Sequence, residues 1–200
     1  ATASTDAYIS DEEVRAFYMM IDNEFGEDWN IEIGARYEEF SQNIGYPNNN
    51  GNTGNLETDG IYPAANITWR AMEEYQVRFG FSQTVSYPGL IERSESQSYD
   101  PQTDDPIFGT PDLKVSEIDN IDLRVEYYFG TDNRASLALF RKEIDNPVER
   151  AIPDASGSAA VGITFRNQRS AVLDGIELDF NTTLIDSDDF RVFLNGNFSY

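Results

Sequence analysis

Four aspartates, Asp100, Asp104, Asp105 and Asp112, fall in one stretch of this chain and carry the oxygen donors that Ca2+ accepts. Their spacing matches no EF-hand pattern, so a solvated acidic loop is the reading we favour. Glu177 and Asp179 share one face of an alternating run, as do Arg124 and Glu126. Carboxylates can move protons, but at alternating positions beside arginine they read better as pairs across neighbouring strands. The 200 residues contain neither cysteine nor histidine. Histidine-based catalysis, thiolate or imidazole metal sites and disulfides are therefore excluded. With no Gly-rich phosphate loop and no nucleophile elbow either, the expectation is no enzyme, no cofactor and no metal. The remaining chemistry is recognition. Tyr46, Tyr62, Tyr99 and Phe108 lie in or beside long loops, where substrate contact is a function that loops often carry. Packing within the loops is the competing reading.

Charge narrows the partners. Fourteen basic against 36 acidic residues give a net charge of −22, the wrong sign for nucleic acid. No run approaches the roughly 18 apolar residues of a membrane helix. Residues 1–11 are small and polar, without the basic and apolar regions of a signal peptide. Either the chain is cytosolic or its natural N-terminus lies outside this sequence. Aromatic residues make up 13% of the chain, and their fixed alternation argues for structure rather than acidic disorder.

The elements that must position these residues are strands. Ile121, Leu123, Val125, Tyr127 and Phe129 alternate with Asn120, Asp122, Arg124, Glu126 and Tyr128, giving one apolar and one polar face. Residues 130–133 then break the run as a tight turn. Tyr75, Val77, Phe79, Phe81, Val85 and Tyr87 define a second such strand, and Trp29, Ile31, Ile33, Ala35 and Tyr37 a third. Further extended runs cover 12–21, where a short helix is the competing reading, 63–69, 134–151, 163–184 and 190–200. In all, eight strands are expected. Short turns near Gly26, Met72, Thr131 and Ser187 alternate with long loops over 41–60, 88–111 and 153–162. The Pro- and Asn-rich composition of 41–60 reads as irregular.

Short connections at one end and long ones at the other have no cause in a soluble sandwich, whereas an outer-membrane barrel is built that way. Trp29, Trp69, Tyr75, Tyr127, Tyr128, Phe129 and Phe190 sit near the short turns; Phe40, Tyr62 and Tyr87 mark the far ends. Two aromatic girdles about an apolar band are the expectation for lipid. With the short turns periplasmic, the first strand runs down and the last runs up. That is out of phase with an intact barrel, so the chain reads as an arc of a larger one. A self-contained eight-stranded barrel acting as porin or anchor is the first alternative, and a soluble β-sandwich binding module the second.

Several segments resemble TonB-dependent outer-membrane receptors. Gly109-Thr110-Pro111-Asp112-Leu113-Lys114 is similar to the family's G-N-P-D-L-K, with Thr110 for Asn and Val115 for the following Pro; the next strand ends Glu126-Tyr127-Tyr128-Phe129, like E-Y-Y-F. Gly34, Arg36, Tyr37 and Glu38 resemble G-x-R-Y-E, and residues 62–66 fall at the L-P strand start. Residues 81–88 match a strand ending in R-P, with Tyr87 for Arg. Residues 139–144 resemble F-Y-K-x-I, and 174–178 the G-x-E-L strand. The ordered set covers about residues 12–200.

The resemblance implies that residues 1–200 are one partial receptor barrel domain. About eight antiparallel transmembrane strands would belong to a barrel of 22 in the family, with the plug, the TonB box and the final strands absent. It further implies a bacterial outer-membrane protein and TonB-energised uptake of a scarce nutrient, a ferric siderophore or an oligosaccharide. The implied partners are outer-membrane lipid, TonB through the missing N-terminal region, and that small molecule.

Overall fold

The structure, a computed structural model, describes residues 7–47, 52–130, 133–153 and 162–200. Eight long strands form one antiparallel sheet: β1 (Ile9–Phe25), β2 (Trp29–Tyr46), β3 (Asn52–Met72), β4 (Tyr75–Ser86), β7 (Ser116–Phe129), β8 (Asn133–Asp145), β11 (Ser170–Asp186) and β12 (Arg191–Ser199). Their order across the sheet is their order along the chain, and β1 does not meet β12. The sheet is an open arc, not a closed eight-stranded barrel. The intervening segments hold α1 (Leu90–Arg93), β5 (Ser98–Tyr99), β6 (Pro106–Phe108), β9 (Val148–Ala151) and β10 (Ile163–Asn167). These four short strands form a second sheet in the order β5-β6-β10-β9.

The register lines up the apolar residues. One row runs Ile31, Ile67, Phe79, Leu123, Leu139 and Ile176; the next runs Trp29, Trp69, Val77, Val125, Leu137, Leu178 and Phe198. Because strand side chains alternate, these rows share the outward face. No protein layer covers them: Phe79 is 40% exposed, Leu123 41% and Leu139 47%. A soluble sandwich would bury this face under a second sheet. At the short-turn end Trp29 stacks on Trp69 with centroids 5.5 Å apart, and Tyr75 on Tyr127 at 4.7 Å. From Trp29 to Glu39, β2 rises roughly 33 Å at about 3.3 Å per residue. A tilt of about 40° brings this to roughly 25 Å, the height of a lipid-facing band.

The inward face is polar and ion-paired. Glu126, 3% exposed, accepts from Gln76 Nε2 at 3.0 Å and Tyr128 Oη at 2.9 Å, and pairs with Arg78 at 3.2 Å. Arg124 lies 3.6 Å from both Glu177 and Asp179. The carboxylates singled out in the sequence are thus cross-strand partners. Tyr128 faces this interior, not the girdle.

Three expectations are corrected. Residues 41–60 are not an irregular loop: β2 and β3 pair from Trp29↔Trp69 to Tyr46↔Asn52, so a long hairpin projects beyond the sheet. Its ladder overrides local composition, because each strand supplies the other's backbone partners. Tyr87, one residue past the end of β4, turns inward to stack on Phe40 and leaves the expected girdle, and Phe40 and Tyr62 are not a lipid girdle either. Each of these two stands an odd number of positions along its strand from the outward Trp29 or Trp69, which turns it inward. The run expected over 134–151 breaks at Asn146, whose φ of +52° is left-handed, and Pro147. β9 then joins the other sheet.

Candidate functional site: the loop assembly at the mouth

The segment 87–115 and the described residues 146–153 and 162–169 lie at the same end of the sheet and fold onto each other. Ile107, Leu113 and Phe165 form a small core against which Val148 and Ile163 pack. β6 lies parallel to β10 at Ile163↔Ile107, and β9 pairs with β10 from Thr164↔Ala151 to Asn167↔Val148. Two connections that are remote in sequence become one folded unit.

Local chemistry explains the run from Gly109 to Lys114. A Cβ on Gly109 would collide with the Ser94 carbonyl oxygen and stand 2.8 Å from that of Ile91, so only glycine lets this strand lie against α1. Thr110 N donates to Glu92 O at 2.7 Å, and Thr110 Oγ1 to Phe165 O at 2.7 Å. The Pro111 carbonyl accepts from Arg93 Nε at 3.1 Å, while Leu113 enters the core. Lys114 N donates to Asn167 Oδ1 at 2.8 Å, and Asn167 Nδ2 returns bonds to Lys114 O at 3.0 Å and Asn146 O at 2.7 Å. One amide side chain therefore fastens three backbone segments.

The unit is anchored inside the mouth. Above Glu38 the inward face of β2, Phe40, Gln42, Ile44 and Tyr46, is buried by the segment after β4. Tyr87 stacks on Phe40 with centroids 3.7 Å apart and donates to Glu38 Oε1 at 2.8 Å. Gln42 Nε2 donates to Pro88 O at 3.2 Å, and its Oε1 accepts from Arg93 Nη1 at 2.7 Å. Arg93 is 2% exposed. Burial lowers its pKa, opposed by the electrostatic influence of Tyr46 and Asp112, and a guanidinium remains a cation there.

The four aspartates do not converge. Asp100 Oδ1 accepts from the backbone of Gln102 at 2.9 Å, and its Oδ2 from Arg150 Nη1 at 3.1 Å. The Gln102 N–H first, then Thr103 N–H and Arg150, hold this carboxyl below the usual range against the opposing effect of burial. Asp104 takes a left-handed φ of +60° in the turn this carboxylate caps. Among the described residues no group of three or more acidic side chains is arranged to hold a metal ion.

The four aromatic candidates separate. Tyr46 is buried, its hydroxyl accepting from Glu95 N at 2.6 Å, so it holds the loop. Tyr62 faces inward on β3 and leans over Gly60. Tyr99 and Phe108 come together on the outward side of the small sheet. Tyr99 pairs with Pro106 and Ser98 with the buried Ile107, so Phe108 shares the Tyr99 side. Gln97 Nε2 donates to the Tyr99 hydroxyl at 3.1 Å, and both rings remain open to solvent. Arg93, Gln42 and Asn167 carry the assembly and were not singled out by sequence. Only Arg93, a lone cation in a long acidic loop, offered a signal.

The whole chain, residues 1–200, matches the family model described as TonB dependent receptor-like, beta-barrel. Among curated protein sequences none matches. The fold is similar to the Serratia marcescens hemophore receptor HasR, solved as a double mutant with its hemophore HasA and heme. The TM-score is 0.69 at 13% identity, over 85% of this chain and 32% of that one. It is similar also to the siderophore receptor PirA of Pseudomonas aeruginosa (TM-score 0.63, 14% identity, 96% of this chain and 43% of that one). For the alcaligin receptor FauA of Bordetella pertussis the TM-score is 0.61 at 15% identity, over 96% of this chain and 31% of that one. The chain thus spans well under half the length of each of these receptors. An open antiparallel arc, apolar outside and ion-paired inside, with its long connections folded together at one end, agrees with the family match, and the chain belongs to the TonB-dependent receptor β-barrel family.

Proposed function

We propose that this chain forms part of the wall and mouth of a bacterial outer-membrane receptor that takes up a scarce nutrient with energy delivered through TonB. The observation that carries the reading is the division of one sheet into an uncovered apolar face and an ion-paired polar face. Lipid lies against the first and the lumen against the second. Capture falls to the loop assembly, where Tyr99 and Phe108 offer exposed rings on a fixed sheet and Tyr62 lines the inner wall. The nutrient belongs to the ferric siderophore or oligosaccharide class. Receptors similar in fold are named for a hemophore, siderophores and alcaligin, which favours iron sources over sugars.

The test is binding by the full-length receptor in detergent, titrated with ferric siderophores, heme and oligosaccharides. A Tyr99→Ala, Phe108→Ala double variant accompanies the parent. The reading expects one iron-bearing class to bind and the double variant to bind at least tenfold more weakly. Binding of none of these ligands, or a receptor that fractionates away from the outer membrane, overturns it.

A further inference from the structure

β3 is paired on both sides only from Ala64 downward. β2 accompanies it from Trp69 up to Asn52, but β4 reaches only to the Ala64↔Ser82 pair. Beyond that β4 runs on to Ser86 without pairing to β3, its Gln83 and Thr84 facing residues 60–62 across a cavity, and among the described residues no strand pairs with residues 54–62 on this side. The segment is regular, extended and roughly 30 Å long at about 3.3 Å per residue. Every second residue turns its N–H and C=O toward this unpaired side, which is lined by cavities and not by a strand partner, the template for strand addition. Edges of this kind are blunted by charged side chains, lysine above all, by proline, by a bulge or by a covering loop, and the charges here are the acidic Glu57 and Asp59. Residues 54–62 have neither lysine nor proline, and the register against β2 is continuous.

The space beside this edge is shaped and charged. Its lower end is a cavity of about 200 Å3 between Gly60, Ile61 and Tyr62 of β3 and Gln83, Glu117, Asp119, Glu143 and Asp145. Its upper end is a cavity of about 310 Å3 between residues 55–58 and residues 111–115, where Arg93 and Lys114 stand with Asp112, so the acidic character belongs to the lower end and to Glu57. Acidic residues stand directly opposite each other as Asp119↔Glu143 and Glu117↔Asp145, an arrangement that costs stability unless a cation lies between them. Arg141 pairs with Glu143. Glu57, Asp59, Glu117 and Asp145 have no ion-pair partner among the described residues.

We infer that the free edge of β3 from residue 54 to residue 62 binds an extended basic peptide segment of a partner protein as an added strand. Period two fixes the chemistry. Alternate side chains of the added strand project outward between Glu57 and Asp59 on one side and Glu117, Asp119 and Asp145 on the other, so lysine or arginine belongs at every second position. A second copy of this chain is disfavoured, because its own Glu57 and Asp59 would meet these carboxylates.

The experiment uses the full-length receptor in detergent and a labelled nine-residue peptide alternating Lys with Val or Thr, read by fluorescence anisotropy. Two further peptides carry backbone N-methyl groups on alternate residues, in opposite phase. Strand addition predicts saturable binding that one methylation phase weakens at least tenfold and the other leaves nearly unchanged. A Glu57→Gln, Asp59→Asn variant should bind severalfold more weakly and keep the parent's heat-modified gel mobility, which shows that it is folded. Equal binding of both methylated peptides reduces the contact to charge alone and overturns the inference, as does no binding. Concentration-dependent dimerisation that the peptide suppresses assigns the edge to a second copy and overturns it too.

Discussion

Arg93 Nη1 donates a 2.7 Å hydrogen bond to Gln42 Oε1, tying a short helix in one loop to the inner face of a strand 51 positions earlier. Both side chains are buried, and the second bond from Arg93 goes to the Pro111 carbonyl. This pair fixes the loop assembly against the wall.

Replacing Arg93 by Ala leaves Gln42 and the Pro111 carbonyl short of a donor in a dry site. The cost expected for the assembly is about 2–5 kcal/mol. Arg93→Lys does little better, since one ammonium cannot reproduce a planar fork with two separate partners. Amide exchange over residues 87–115 of the full-length receptor should rise sharply in both variants, while the spanning strands stay protected. Unchanged exchange in that loop contradicts the anchoring role.

Gly109→Ala should act at the same place by a different route. The added methyl meets the backbone of residues 91 and 94, which cannot move without breaking α1. Limited proteolysis should cut the variant within the loop while the heat-modified gel band survives. A loop as resistant as the parent's would mean that α1 and the segment after β6 can separate at no cost.

Acid should open the assembly through Asp100. Its folded pKa lies below the ordinary value because backbone N–H groups and Arg150 favour the carboxylate. A depressed pKa contributes stability above the unfolded value, about 3.9, and that contribution is lost as pH falls through the folded value. Exchange at residues 98–108 should therefore be flat near neutrality and rise below about pH 4. In Asp100→Asn the baseline is higher and this pH dependence is reduced. An identical acid profile in both proteins rejects Asp100 as the responsible group.

The two faces of the wall should respond oppositely to charge. Arg at Phe79 or Phe81, further into the outward band than the Trp69–Val77 pair and the Tyr75–Tyr127 stack, is expected to cost about 2–4 kcal/mol in the full-length receptor refolded in lipid. At Gln76 or Ser82 on the inward face it should cost little. Equal costs on both faces would leave the band without its lipid.

The wall was legible because a half-buried strand writes its two faces into alternate residues, as 75–82 and 120–129 do. Its register needed nothing more than the turns. The mouth was not. Gly109, Arg93 and Asn167 act on partners 15 to 53 positions away, and no local pattern marks such contacts. Residues 52–60 looked irregular because Asn and Gly disfavour strands, yet pairing with β2 outweighs that preference. Phe40 and Tyr62 were misassigned to a lipid girdle although their parity relative to Trp29 and Trp69 already placed them inside. Tyr99 and Phe108 were found for their loop position; their shared face depends on a sheet assembled from two loops.

The central claim is that one face of this sheet meets lipid and the other does not. Spin labels placed singly at residues 77–82 and 121–126 of the full-length receptor in bilayers test it, by accessibility to oxygen against a water-soluble nickel reagent. The account predicts a period-two pattern, with oxygen favoured at 77, 79, 81, 121, 123 and 125 and suppressed at the residues between. Accessibility that does not alternate, or oxygen contact at Gly80, Asp122 and Arg124, would contradict it.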